Sequence, residues 1–219
     1  MISNQTISTS GNYWPAIRLT TVILLSTAIG LYAVAFQLRL VGAPEFFQKF
    51  DASPVISGMH VVGGAVVLLV GGLQFWHPLR RTYPKLHRWL GRIYLTFVLI
   101  GGIGGLLLAP QSDGGVVTHF GFGMLAVLWL FSGWQAYSAI RRGDVQSHKA
   151  WMLRNFALTF GAVTLRIYLG LFGMAGVDFA STYQTVAWLS WVPNLIFIEW
   201  YLALATTGRK QPLTAHPAT

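Results

Sequence analysis

The chain contains no cysteine. That absence excludes disulfides, thiolate-bound metals and iron–sulfur clusters. Charge is nearly as scarce: only 10% of the 219 residues are Asp, Glu, Lys or Arg, where a soluble domain carries about 25%. A chain so poor in charge cannot cover a water-facing surface, and with 54% hydrophobic residues it reads as a membrane protein. Acidic side chains are the rarest, six against fifteen Lys and Arg.

Apolar runs of the length that crosses a bilayer, about 20 residues, fall near 16–39, 54–76, 87–109, 116–140, 150–173 and 184–206. The predicted fold class is all-α, a six-helix transmembrane bundle forming one domain over 16–206. Polar segments at 1–15 and 207–219 are expected to be disordered. Ala33-Val34-Ala35 resembles a signal-peptide cleavage site, but apolar character continues to Leu40, so the first span is expected to remain as a helix. Between the first two spans, 40–54 reads as an outer loop with a short interfacial segment.

The net charge of +9 does not point to nucleic acid, because of where it lies. Every Lys and Arg except Arg39, Lys49 and Arg166 sits around 77–92, around 141–154, beside the first span (Arg18) or in the tail (Arg209, Lys210). Under the positive-inside rule these basic segments are cytoplasmic. An even number of spans then makes both termini cytoplasmic, in a multi-pass protein of a bacterial inner membrane whose surroundings are the lipid bilayer.

Two stretches repeat. Gln74, Arg80, Arg81, His87 and Arg88 each precede Gln135, Arg141, Arg142, His148 and Lys149 by 61 positions, and Gly72 and Gly133 share the offset. Spans two–three and four–five therefore read as copies of one helical hairpin, which implies a pseudo-twofold axis along the membrane normal. His60 and His119 are 59 apart, which places a two-residue length difference within span two or four. Such an axis sets His60 opposite His119 near the outer side and His87 opposite His148 near the inner side.

Ionisable groups within a membrane are costly and usually mark function, and a neutral imidazole is a common metal ligand. Two imidazoles facing across an axis, with no thiolate available, suit bis-histidine iron in b-type haem. Gly64, Gly91 and Gly123 lie four residues after His60, His87 and His119, on the same helix face, and would admit the edge of a flat macrocycle. Met152 stands in that place after His148. Arg88, with its basic neighbours, would face inner propionates. Arg166 is expected roughly 27 Å above His148, at about the depth of His60 and His119, where it would face an outer propionate. Trp89 and Trp151 are candidates for the haem edge. His77 and His216, at a helix end and in the tail, are not expected to be ligands. Glu199 is expected either to serve proton uptake or to bond to Tyr or Trp.

One histidine on each of four consecutive helices, paired second with fourth and third with fifth, resembles the ascorbate-dependent transmembrane b-type cytochromes. That resemblance covers roughly residues 54–173. It implies two b haems ligated by His60, His119, His87 and His148, and electron transfer from a cytoplasmic reductant to an outer acceptor such as a ferric chelate. His-Arg-x-x-Gly-Arg-x-Tyr at 87–94 and His-Lys-Ala-Trp-Met-Leu-Arg at 148–154 are similar to a family of small bacterial membrane proteins of unassigned function. The leading expectation is thus an oxidoreductase-type electron carrier with a small-molecule donor. Its rivals are a quinol-linked cytochrome b and a haem-free transporter or assembly factor. A homodimer is left open.

Overall fold

The computed structural model describes residues 14–207. The polar terminal segments, with Arg209, Lys210 and His216, lie outside the described residues. Among the described residues every regular element is helical. Helix α1 covers Trp14–Gln37, and α2 is the short interfacial piece, Pro44–Asp51. Helix α3 is Pro54–Gly71, tightened into a 3-10 turn over Gly72–Phe75. The short α4, His77–Thr82, precedes α5, Pro84–Leu108, which is followed by a 3-10 turn, Ala109–Gln111. Helix α6 is Val116–Arg141. The fifth span combines α7, Val145–Thr159, with α8, Gly161–Met174. The sixth combines α9, Phe179–Leu189, with α10, Val192–Thr207.

Six stretches are long and apolar enough to cross a membrane: Ala16–Gln37, Pro54–Phe75, Pro84–Gln111, Val116–Arg141, Val145–Met174 and Phe179–Ala205. The third, fifth and sixth begin three to five residues before the apolar runs that announce them. Their first turns are polar, so hydropathy misses them, but local chemistry starts the helix. Pro84 occupies the first turn of α5, where its missing N–H costs nothing. Asp144 and Asp178 cap α7 and α9, accepting from the backbone N–H of Ser147 and Ser181 at 2.9 Å each. These bonds hold both carboxyls below the ordinary carboxylate range.

Spans two to five close into a ring: α3 lies along α5, α5 along α6, α6 along α7, and α7 touches α3. The diagonals are spans two and four, and spans three and five. Close approach of α3 and α5 depends on glycine, since a Cβ on Gly63 would lie 2.6 Å from the Gly101 Cα. Helix α1 packs outside α3, α9 against α6 and α8, and α10 against α7.

The repeat is visible in side-chain contacts at the centre of this ring. Tyr94 and Asn155 occupy equivalent positions, 61 apart, and the Tyr94 hydroxyl donates to Asn155 Oδ1 at 2.8 Å. Ser132 Oγ accepts from Asn155 Nδ2 at 2.9 Å. The counterpart of that contact is Gly71 against Tyr94, where a Cβ on Gly71 would lie 2.7 Å from the Tyr94 ring. Repeat mates that touch each other lie beside the axis relating them. Asn155 Nδ2 also donates to the Trp129 carbonyl at 2.8 Å, while Thr159 Oγ1 accepts from Trp129 Nε1 at 2.8 Å and lies 2.9 Å from Tyr94 Oη. Tyr94 and Asn155 are both fully buried. Each sits ten residues into its span, so this satisfied polar cluster lies roughly 15 Å from the basic end of these helices.

Candidate functional site

Each histidine is placed by the start of a helix. His87 and His148 lie in the first turn of α5 and α7, at the end of the bundle that carries Arg80, Arg81, Arg141 and Arg142. His119 lies in the first turn of α6, and His60 in the second turn of α3, both at the opposite end. Two layers of histidine are therefore present, with the Tyr94–Asn155 cluster between them.

At the basic end, His87 and His148 come within range of each other's charge, and Arg80 of α4 is also within range of His87. His148 Nδ1–H donates to the Ala136 carbonyl at 2.9 Å. A carbonyl can only accept, so Nδ1 holds the proton and Nε2 of the neutral ring keeps its lone pair. His87 has no ring nitrogen bonded to the protein, and its Nδ1 is buried. In the 3-10 turn after α3, Gln74 is buried with its Nε2 unpaired. Its Oε1 is the single neighbour, at 3.6 Å, of a Cβ placed on Gly91. A buried amide nitrogen left without a partner, on a side chain beside an open glycine, is unusual in a folded protein, where such atoms nearly always find a partner.

At the opposite end, His60 Nδ1–H donates to the Gly101 carbonyl at 3.2 Å, and a Cβ on Gly105 would lie 2.9 Å from the same nitrogen. The ring is crowded toward α5 and exposed on its other edge. His119 Nε2–H donates to the Ser112 carbonyl at 3.0 Å. These two rings thus bond to different carbonyls, one within span three and one in the turn after it. The charged group within range of His60 is Arg166. The Arg166 guanidinium donates to the Ala162 carbonyl at 2.7 Å and sits 5.2 Å over the Tyr32 ring, with no carboxylate partner among the described residues.

The glycines separate into two kinds. A Cβ on Gly63, Gly71, Gly104 or Gly121 would come within 3 Å of a neighbouring helix or its side chains. These are packing glycines. Beside Gly64 nothing lies within 4 Å, beside Gly123 only Ala109 Cβ at 3.7 Å, and beside Gly91 only the Gln74 oxygen. The three glycines that follow a histidine by four residues therefore face space, not a packed helix. Met152, in the same place after His148, is buried.

Other expectations need correction or addition. Glu199 neither bonds to an aromatic hydroxyl or indole nor stands alone: it forms a bidentate pair with Arg154, at 2.5 and 2.8 Å. The Arg154 guanidinium also lies 4.7 Å over Trp151. Trp151 thus carries a guanidinium on one face, and Trp89 is exposed. Arg88 is exposed, and the arginine within range of His87 is Arg80. Gln74 was legible as part of the repeat, but nothing in its type marked it as facing Gly91.

This geometry defines an all-helical protein with six membrane-length spans, organised on an internal hairpin repeat, with histidines at two levels. Residues 58–202 match the family described as predicted membrane protein DUF2306, and the chain belongs to that family. No curated protein and no solved structure matches it.

Proposed function

We propose that this chain is a dihaem b-type membrane cytochrome that passes electrons across a bacterial inner membrane, from a cytoplasmic reductant to an acceptor on the far side. The carrying observation lies at the basic end: His148 has one nitrogen committed and the other free, His87 has neither committed and feels the electrostatics of His148, and Gln74 is unpaired beside open Gly91. The donor set is apt, because ligating histidines characteristically give their other N–H to a carbonyl, fixing tautomer and ring orientation. His60 meets the same requirement through Gly101. His119 meets it in reverse, through Nε2, so ligation there by Nε2 requires a ring turn that releases Ser112.

Haem bound in this way would supply a one-electron carrier whose potential answers to its axial ligands, burial and nearby charge. The protein's own share is placement. The carbonyls of Ala136 and Gly101 hold two rings, Gly64, Gly91 and Gly123 leave room beside three, and Arg80 and Arg166 set positive charge where anionic side groups would lie. The basic end is cytoplasmic by the distribution of Lys and Arg.

The test is an oxidised and a dithionite-reduced absorption spectrum of the purified full chain, expressed with ample haem. A Soret band that shifts on reduction, with two haems per chain, is expected. His87→Ala and His148→Ala should each remove the same half of it, and His60→Ala and His119→Ala the other half. No Soret band under those conditions would overturn the reading and leave a haem-free membrane protein.

A further inference from the structure

Spans three and four part on the membrane-facing side of the bundle, at its basic end, to leave an apolar groove of about 310 Å³. Its walls are Leu95 and Leu99 on one side and Leu130 and Trp134 on the other, with Arg92 and Tyr137 at its basic end. Gly133 lies on the floor, packed closely enough that a Cβ there would come 3.1 Å from Val98. On the other hairpin the repeat mate, Gly72, is covered by Ile23 of α1, at 3.1 Å from a Cβ placed there. Among the described residues nothing covers the groove beside Gly133. Trp134 and Leu99 stand 65% and 55% exposed along it.

We propose that this groove holds one acyl chain of an anionic phospholipid, with the headgroup phosphate on Arg92 and Arg141. Arg92 is exposed and, among the described residues, makes no ion pair. It lies eight residues into its span, roughly 12 Å deep, and its long side chain reaches toward the headgroup layer. Arg141 closes the same end, donating to the Tyr137 hydroxyl at 3.3 Å with its guanidinium 5.9 Å over that ring. Among the described residues the three ion pairs leave both arginines without a carboxylate. A second copy of this chain is the poorer occupant. The acidic groups it has at the basic end are Asp144 and Glu199, and these are already engaged by the α7 cap and by Arg154. A phosphodiester supplies the missing negative charge, and its chain supplies the apolar filling.

The experiment is native mass spectrometry of the full chain, stripped of lipid in mild detergent and titrated with phosphatidylglycerol or phosphatidylcholine micelles. One phosphatidylglycerol should bind in preference to phosphatidylcholine. Each arginine near the surface is worth about a fivefold factor toward a net negative headgroup, so Arg92→Gln with Arg141→Gln should weaken phosphatidylglycerol about thirtyfold and phosphatidylcholine, whose own choline offsets its phosphate, far less. Leu99→Trp, which fills the apolar part, should weaken both lipids alike. Glycerol phosphate, a headgroup without a chain, should not compete. Equal binding of the two lipids, no effect of the double substitution, displacement by a quinone, or a dimer peak in place of bound lipid would each overturn the proposal. Elution volume on gel filtration confirms that the variants are folded.

Discussion

Replacing Tyr94 by phenylalanine removes one oxygen from the middle of the bundle and changes almost nothing in shape. The hydroxyl donates to Asn155 Oδ1 at 2.8 Å and lies 2.9 Å from Thr159 Oγ1. Interhelical hydrogen bonds in membranes average about 0.6 kcal/mol, with a ceiling near 1.7. Two such contacts, one of which leaves a buried amide oxygen unpaired, amount to about 2 kcal/mol. Asn155→Leu removes the same bond together with those to Ser132 and the Trp129 carbonyl, and should cost more. Because the two substitutions share one interaction, the double variant should be less damaged than their sum by about 1 kcal/mol. The assay is unfolding of the purified protein by increasing the mole fraction of a denaturing detergent, followed by tryptophan fluorescence, for which Trp129 lies within the cluster. Additivity of the two changes within about 0.3 kcal/mol would refute the claim that the repeat mates couple spans three and five across the axis.

Two glycine substitutions should part company: Gly63→Leu should abolish folding, since its Cβ already falls 2.6 Å from the Gly101 backbone, whereas Gly91→Leu, beside open space, should fold and lose bound haem; equal loss of folded protein would refute the division of the glycines. Glu199→Gln should lower stability by leaving Arg154 uncompensated in the membrane, and the pair Glu199→Gln with Arg154→Gln should be milder than Glu199→Gln alone; midpoints in the same detergent titration decide this. The cap carboxyls of Asp144 and Asp178 lie below the ordinary value of 3.8 in the folded chain. Their stabilisation is therefore complete above that value and is lost as pH falls through the lower folded value. Thermal melts at pH 7 and in strong acid should show a smaller acid loss for Asp144→Asn with Asp178→Asn than for the wild-type chain.

Much of the scaffold was legible because the information is local. Mean hydropathy over a window marks a span, since each residue in it meets the same solvent. The offset of 61 between His87 and His148 also identifies Tyr94 and Asn155 as mates, and the structure joins those two by a hydrogen bond. Hydropathy places the starts of spans three, five and six three to five residues late, because proline and aspartate begin a helix without making it apolar. His119 shows a different limit: its place in the first turn of α6 followed from the sequence, but the nitrogen it commits did not.

The sequence alone determined how many stretches are long and apolar enough to cross a membrane, which end is basic, that the central hairpin is duplicated, and at which two levels of the bundle imidazoles occur. Periodicity assigns a residue to a helix face, but it does not say what stands opposite. Only the tertiary structure decided that Glu199 answers Arg154, that Gly63 packs while Gly64 does not, and that Gln74 faces Gly91 with its amide nitrogen unpaired. The reason is physical: those facts depend on distances between helices far apart in the chain, and such distances are set by the packing of the whole ring.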